Sequence, residues 1–194
     1  MNATPRQSII FGGAGFIGRH LAEALHAAYP DGRLVIVDRV EPQRLPDGAV
    51  FRHLDVREPI PDEFATGDGR IFVYNLAAVH RTPGHPTHEY YETNVRGAVN
   101  INDFARRVGA ADLLFTSSIA VYGPDDAPKS ETTPPTPESA YGWSKLLAES
   151  VHRSWSAEAP GRRLTIVRPA VIFGAGEGGN FTRLAGALGR GTFV

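Results

Sequence analysis

The chain has 194 residues, 42% of them hydrophobic, with a formal net charge of -1 and 0 cysteines. This length and composition predict one globular domain, spanning 1–194, that can bury a core without disulfides. The charge balance excludes the basic surplus typical of proteins that bind nucleic acid or anionic membranes. Thiolate metal sites are excluded too, and the lack of a signal peptide or a membrane-spanning apolar run indicates a cytoplasmic protein.

Strand and helix patterns alternate from one end of the chain to the other. Short apolar runs rich in β-branched residues predict strands at 7–11, 33–37, 50–53, 71–76, 112–116 and 164–167. Amphipathic spacing predicts helices at 16–28, 87–108, 140–158 and 181–188. This alternation predicts an α/β fold, a Rossmann-type doubly wound parallel sheet with flanking helices. The proline-rich stretch 124–137 is predicted to be a surface loop inside this domain.

A glycine-rich turn follows the first predicted strand and opens the first helix. Gly12, Gly15 and Gly18 recur at every third position, which suits a tight turn, a close backbone approach to a pyrophosphate, and helix–strand packing. The amides at the helix start, including those of Phe16 and Ile17, would bind the pyrophosphate together with the helix dipole. The alternative is a purely structural turn, which the flanking strand and helix disfavour.

An acidic residue ends the second predicted strand. Asp38 lies about 20 residues beyond Gly18, where a carboxylate accepts a hydrogen bond from a ribose 2′-hydroxyl. The same carboxylate would repel a 2′-phosphate, so the sequence predicts NAD rather than NADP. Arg39 beside it is the feature that could favour NADP, and a solvated Asp38 is the alternative.

A tyrosine and a lysine lie four residues apart at the start of the third long helix. Tyr141 and Lys145 therefore share one helix face, one turn apart. A phenol is a poor base near neutral pH, but a nearby ammonium is expected to lower its pKa. Lys145 could also hold a nicotinamide ribose. A surface lysine and an interfacial tyrosine are the alternative.

A serine-rich segment begins where the fifth predicted strand ends. The carboxyl ends of parallel strands are where α/β sheets bind ligands. The hydroxyl of Ser118 could therefore hydrogen-bond a substrate oxygen beside Tyr141. A serine-rich loop without this role is the alternative.

Together these motifs resemble those of the extended short-chain dehydrogenases, and most of all the NAD-dependent nucleotide-sugar epimerases and dehydratases. In chain order the matching motifs are GGAGFIG, Asp38, Asp55-Val56, Asn75-Leu76-Ala77-Ala78, Asn94-Val95-Arg96-Gly97, SSIAVYG, YGWSK and Arg168-Pro169. The resemblance covers essentially the whole chain, and the ordered set is far more specific than any one motif.

The resemblance also implies a role for each matching residue. Ser118 would be the partner of the substrate hydroxyl, Tyr141 the catalytic base, and Lys145 its activator. The remaining matches would bind the cofactor: Asp55 and Val56 at the adenine, Leu76, Ala77 and Ala78 along the pyrophosphate and ribose, Asn94 in support, and Arg168 and Pro169 near the nicotinamide. Two of these residues have a structural alternative. Asn94 could simply bind backbone, and Asp55 could be a turn residue.

Three departures from the family pattern narrow the expected chemistry. Phe11 precedes the first glycine where the family commonly has threonine, and Asn75 replaces a frequent histidine. The 4,6-dehydratases of the family carry Thr-Asp-Glu where this chain has Ser118-Ile119-Ala120. Because no carboxylic acid follows Ser118, the sequence favours an epimerase or a simple oxidoreductase over an enzyme that eliminates water.

The leading hypothesis is therefore an NAD-dependent nucleotide-sugar epimerase that acts through a transient ketone. The alternatives are an NAD(P)-dependent reductase or dehydrogenase of another substrate, and a cofactor-binding module without turnover. By resemblance, Asn180 would contact substrate, a homodimer would form through helices near 87–108 and 140–158, and a substrate lobe would only begin near 170–194, most of it being absent from the chain. His85 and His88 lack a third ligand, so no metal site is predicted.

Overall fold

The computed structural model describes residues 6–66, 69–80, 84–174, 176–177 and 180–192, without the side chain of Asn180. Six parallel strands form one sheet in the order β3-β2-β1-β4-β5-β6. They are β1 (Arg6–Phe11), β2 (Arg33–Asp38), β3 (Val50–His53), β4 (Arg70–Asn75), β5 (Asp112–Thr116) and β6 (Arg163–Val167). The predicted Rossmann-type sheet is confirmed, and the strand limits agree with the predicted ones to within one residue.

Helices form at the predicted places. They are α1 (Phe16–Ala28), α2 (Thr87–Tyr90), α3 (Gly97–Arg107), α4 (Ala140–Ala157) and α5 (Asn180–Gly189). Of these, α1, α3 and α4 pack against the sheet. The single helix predicted over 87–108 is wrong in one respect, because a π-helical segment, Tyr91–Arg96, joins α2 to α3. Such widened turns are frequent at functional sites, and this one carries Asn94. Stretch 124–137 contains no helix or strand, as expected of a loop.

The strand order places a crevice at the centre of the sheet. From β1 the chain runs outward through β2 and β3, and then returns to the other side of β1 for β4, β5 and β6. The connections that leave β1 and β4 therefore diverge at the carboxyl end of the sheet. Ligands bind at such switch points in doubly wound sheets.

Buried apolar side chains form a core on each face of the sheet. On the face covered by α3 and α4, the rings of Phe11 and Phe104 meet edge to face with centroids 5.7 Å apart. On the opposite face, Ile10 and Ile36 pack with Ala22 of α1. The two cores fix the helices against the sheet and so fix the residues at its carboxyl edge.

Within the described ranges, no helix combines the length and the apolar character needed to cross a bilayer. The same residues contain no group of three or more His, Asp or Glu side chains placed to hold a metal ion.

Candidate active site

The turn after β1 brings three segments into backbone contact. Gly12 has a φ of 76°, and its amide donates to the carbonyl oxygen of Val37 on β2 at 2.9 Å. A Cβ atom on Gly12 would lie 2.6 Å from the amide nitrogen of Ala77, which follows β4. Any side chain at this position would therefore push the segment after β4 away from β1.

The start of α1 needs glycine for a second reason. A Cβ on Gly18 would lie 2.6 Å from the carbonyl oxygens of both Gly12 and Gly13. Gly13, which the every-third-residue pattern left out, is equally restricted, because its Cβ would lie 2.8 Å from Ile36 Cγ2. Gly15 is the N-cap and makes no side-chain cap, so no side chain covers the first amides of α1. We call Gly12–Gly18 together with Leu76 and Ala77 the glycine cradle.

The cradle has the properties that a dinucleotide diphosphate requires. Backbone amides and the positive end of α1 are presented where a side chain would otherwise fill the space. Asp38 lies next to it, since its carboxylate accepts hydrogen bonds from the amides of Ala14 at 3.0 Å and Val40 at 3.2 Å. The predicted residues of the turn and the predicted ribose carboxylate are thus brought together by the fold, and they fit NAD.

Asp55 and Val56, the residues expected at the adenine, have different surroundings. Asp55 accepts hydrogen bonds from the Arg57 side chain at both carboxylate oxygens, and Arg39 Nε lies 3.6 Å from its Oδ2 atom. Burial opposes ionisation of Asp55, but the hydrogen bonds from Arg57 lower its pKa below the ordinary value. Val56 is buried beneath Gly97, where a Cβ would lie 2.8 Å from it. A contact between Val56 and adenine would therefore have to come from its backbone.

Leu76, Ala77 and Ala78 are half-buried and continue β4 along the crevice. The amide of Leu76 donates to the carbonyl oxygen of Phe11 at 2.8 Å, which ties this segment to the end of β1. The path predicted for the pyrophosphate and ribose thus runs along the glycine cradle.

Asn94 links the same segment to α4. Its side chain accepts from the amide of Val79 at 2.9 Å and donates to the carbonyl oxygen of Val79 at 3.1 Å. It also donates to Ser144 Oγ at 2.8 Å, and Ser144 Oγ donates to the carbonyl oxygen of Tyr141 at 2.8 Å. Asn94 therefore does bind backbone, but it also links the crevice to the turn of α4 that carries Tyr141.

Ser118 and Tyr141 are brought together by a close approach at Gly142. A Cβ on Gly142 would lie 2.5 Å from the carbonyl oxygen of Ala120, so the segment after β5 packs directly on the start of α4. Ser118 Oγ accepts from the amide of Ala120 at 3.1 Å, which fixes its position. Burial raises the pKa of Tyr141, and a hydrogen bond with Ser118 partly opposes that rise. The predicted direction, a pKa lowered by Lys145, is therefore wrong for this structure.

Lys145 is buried on the inner side of the same helix. Its ammonium donates to the carbonyl oxygen of Thr116 at 2.7 Å and lies 4.7 Å from the ring centre of Phe115. Burial lowers the pKa of Lys145 to about 7, although Glu149 opposes the change. Burial disfavours the charged form of Lys145, and Lys145 is not among the groups that shift the pKa of Tyr141, so it gives Tyr141 little electrostatic help in this arrangement.

An ion pair that the sequence analysis did not identify joins α4 to the segment after β6. Arg168 donates to both carboxylate oxygens of Glu149, at 2.8 and 2.6 Å, and to the hydroxyl of Tyr122 at 2.7 Å. Burial alone would raise the pKa of Glu149, but the bonds from Arg168 lower it. Pro169 accepts from the amide of Ile119 at 3.1 Å. Both predicted nicotinamide-end residues therefore support the Ser118 segment.

Several positioning residues were missed because they have no motif of their own. Ser139 caps α4 by accepting from the amide of Gly142 at 3.0 Å. We call the buried polar row on α4 the inner face of α4, and it comprises Ser144, Lys145, Glu149 and His152. The spacing of this row by three, four and seven residues was a helical signal in the sequence. The side chain of Asn180, the predicted substrate residue, lies outside the described residues.

Known proteins share the sequence pattern of this chain. Residues 8–188 match a family model described as the NAD dependent epimerase/dehydratase family. An N-acetyl-alpha-D-glucosaminyl-diphospho-ditrans,octacis-undecaprenol 4-epimerase of Escherichia coli O157:H7 is 35% identical over 188 residues, which are 96% of this chain and 55% of that protein.

Two solved structures share the fold of this chain. A crystal structure of UDP-galactose 4-epimerase has a TM-score of 0.72 and 28% identity, over 84% of this chain and 55% of that one. The NAD dependent-NDP-hexosamine 5,6-dehydratase TunA also has a TM-score of 0.72, with 32% identity over 84% of this chain and 54% of that one. The chain spans about half the length of the proteins it matches.

Proposed function

Because the chain belongs to the NAD dependent epimerase/dehydratase family, we propose that it contributes the cofactor-binding and catalytic half of an epimerase that inverts a hydroxyl-bearing carbon of a diphosphate-linked sugar. The predicted family and the predicted cofactor, NAD, are both confirmed by that match. The observation that carries the proposal is the contact of Ser118 with Tyr141 at the carboxyl edge of the sheet, next to the glycine cradle.

In the proposed chemistry, the substrate hydroxyl gives its proton to a base, and its oxygen accepts a hydrogen bond from a second residue. NAD, when bound, supplies reversible acceptance of hydride from the sugar carbon. Tyr141 takes the hydroxyl proton as that carbon becomes a ketone, and returns it when the carbon is reduced from the other face. Ser118 donates to the developing ketone oxygen. Lys145, one turn along α4 from Tyr141, is the proposed source of positive charge that favours the phenolate form once cofactor and substrate fill the site.

Elimination of water is disfavoured, although a dehydratase is among the similar structures. An elimination needs a group that removes a proton from carbon and a group that protonates the leaving hydroxyl. The two residues after Ser118 are Ile119 and Ala120, which are not acidic. Glu149 is a nearby carboxylate, but it is buried and held by Arg168. Oxidation and re-reduction of one carbon needs no such acid.

The substrate class follows from what the relatives share. Among the similar proteins, one is named for a sugar on a diphospho-polyprenol and another for a sugar on uridine diphosphate. A sugar diphosphate is common to both, so we propose this group as the recognised chemistry, with a nucleotide as the carrier first to be tested. Asn180, at the start of α5, remains the proposed contact to the carrier.

A direct test measures cofactor and turnover together. Mass spectrometry of the purified native protein should find bound NAD, and a panel of UDP-, GDP- and polyprenyl-diphosphate sugars should yield the epimer of one of them. No NADH should be released, because an epimerase returns its hydride. Steady NADH release with an oxidised product would identify a dehydrogenase instead, and bound NAD without turnover of any sugar would identify a binding module.

We also propose a homodimer through the outer sides of α3 and α4. Val99 is 41% exposed on α3, and Trp143 and Leu147, one turn apart on α4, are 46% and 42% exposed. An apolar surface of this kind on two adjacent helices suits a self-complementary interface. Light scattering should give twice the chain mass for the protein and the single mass for Leu147→Glu. A monomer in both cases would refute the proposal.

A further inference from the structure

A buried chain of three polar side chains crosses the interior behind the catalytic lysine. His152 of α4 is 0% exposed, and Asn75 and Asn102 are 2% and 1% exposed. The ring contacts Asn75 Nδ2 through Nε2 at 3.0 Å and Asn102 Oδ1 through Nδ1 at 2.7 Å. Asn75 ends β4, and Asn102 belongs to α3. One imidazole thus joins α4 to the central sheet and to the neighbouring helix.

The proton positions in this chain are set by a backbone carbonyl. Asn102 Nδ2 donates to the carbonyl oxygen of Val151 at 2.9 Å, so Asn102 Oδ1 must face the ring. An amide oxygen can only accept, so Nδ1 of His152 carries the proton. Nε2 of the neutral ring is then an acceptor, which matches the Nδ2 donor of Asn75. A second proton on the ring would set two donors against each other.

The same ring lies next to Lys145. His152 follows Lys145 by about two helical turns, so both point from one side of α4. They share the ring of Phe115 on β5, with the imidazole centroid 4.7 Å and the Lys145 ammonium 4.7 Å from its centre. The residues in contact with His152 on β4, β5 and α3 are the uncharged Asn75, Phe115 and Asn102. Lys145 is the charged group that acts on it from α4, and Glu149, between them on the helix, is bound to Arg168.

We propose that the Asn75–His152–Asn102 chain is a positioning device that holds the inner face of α4 against β4 and β5 and thereby keeps the Lys145 ammonium in its water-excluded place beside Thr116. His152 acts through Lys145 and needs no contact with substrate or cofactor. Its bonds at both ring nitrogens prevent α4 from rotating or sliding on the sheet. A neutral ring also avoids placing a second cation against Lys145, and burial with the Lys145 charge lowers the pKa of His152 to about 3.

The sequence permits an unusually clean test, because it contains two lysines, Lys129 and Lys145. Protein labelled with ¹³C at lysine Cε should give two NMR signals, assigned with Lys129→Arg. Titration of the full chain should show Lys145 with a midpoint near its pKa of about 7. This readout uses no turnover. The inference builds on the role proposed for Lys145, yet either could fail without the other.

His152→Phe keeps a ring against Phe115 and removes both hydrogen bonds. Water should then reach the ammonium, and the Lys145 midpoint should rise by about one pH unit or more. The matched control is Trp155→Phe, which alters a 0% exposed side chain of the same helix three residues further on and should leave the midpoint unchanged. A Lys145 midpoint that moves equally in both variants would overturn the proposal.

Asn75→Ala is a milder variant that tests the same proposal where His152→Phe does not fold. Asn75→Ala removes the bond to Nε2 and keeps the anchor at Nδ1, so a smaller rise of the Lys145 midpoint is expected. An unchanged midpoint in folded Asn75→Ala would contradict the proposal. Two-dimensional ¹H–¹⁵N spectra of the wild-type imidazoles should also show His152 neutral and protonated on Nδ1 at pH 5. An Nε2-protonated ring, or a ring that titrates near 6.5, would equally refute it.

Discussion

The glycine cradle and the inner face of α4 both adjoin the carboxyl end of β4 but are built by opposite means. The cradle is made of backbone, and its defining property is the absence of side-chain atoms at Gly12, Gly13 and Gly18. The inner face of α4 is made of buried polar side chains, each held by a partner from a distant part of the chain. The glycines of the first are therefore recognisable in a short stretch of sequence, whereas the partners of the second become apparent only in the completed fold.

The largest difference between the two regions is expected when Tyr141, the proposed base, is replaced. Tyr141→Phe removes the proton acceptor but leaves the cradle intact, so turnover should fall by about 10²–10⁴-fold with little change in NAD affinity. Epimer formation and NAD binding, measured on the same preparation, check this. Retained turnover in Tyr141→Phe would remove Tyr141 from the mechanism.

The buried ion pair comes next. Glu149→Gln leaves Arg168, whose side chain is 15% exposed, without its charge partner, and should lower the free energy of unfolding by about 3 kcal/mol. Asp62→Asn is a suitable control, because its pair with Arg107 lies on the surface with both side chains largely exposed. Urea unfolding compares the two, and similar losses would show that burial does not distinguish these pairs.

Burial of Lys145 should lower the free energy of unfolding at neutral pH. Its pKa falls from 10.5 in the unfolded chain to about 7 in the folded one, so the unfolded state binds more protons between these values and stability rises with pH there. Lys145→Met should remove that slope and make the protein more stable at pH 7, on the order of 1–4 kcal/mol.

Lys129→Met is the control for that experiment, because Lys129 pairs with Asp125 in the loop. Its unfolding curves between pH 7 and pH 10 should parallel those of the wild type. A Lys145→Met protein with the wild-type slope would mean that Lys145 is not desolvated.

The smallest predicted loss of stability concerns the cradle. Gly12→Ala places a Cβ against Ala77 at a positive φ, and should cost about 1–2 kcal/mol from the backbone alone while abolishing NAD binding through displacement of the segment after β4. Gly109→Ala has a similar φ of 67° with nothing within 4 Å of the added Cβ, and should bind NAD normally. Equal NAD affinities in the two variants would show that the close approach at Ala77 is not required.

The sequence predicted the parts of the site that local patterns encode. The strands, α1 and α4 were predicted nearly to the residue, because their apolar periodicities match the sheet and helix repeats. The π-helical turn at Tyr91–Arg96 was not, since it depends on how Asn94 reaches Val79 and Ser144. The pKa of Tyr141 was predicted in the wrong direction because spacing shows that Lys145 is near but not that both groups are buried.

By itself, the sequence determined the order of the elements, the glycine turn, and the family to which the chain belongs, because these depend on residues close together along the chain. Tertiary structure decided which polar groups meet inside: Glu149 with Arg168, and His152 with Asn75 and Asn102. The physical reason is desolvation. A buried polar side chain must find its partner wherever the fold brings one, and that partner is set by packing in three dimensions rather than by distance along the chain.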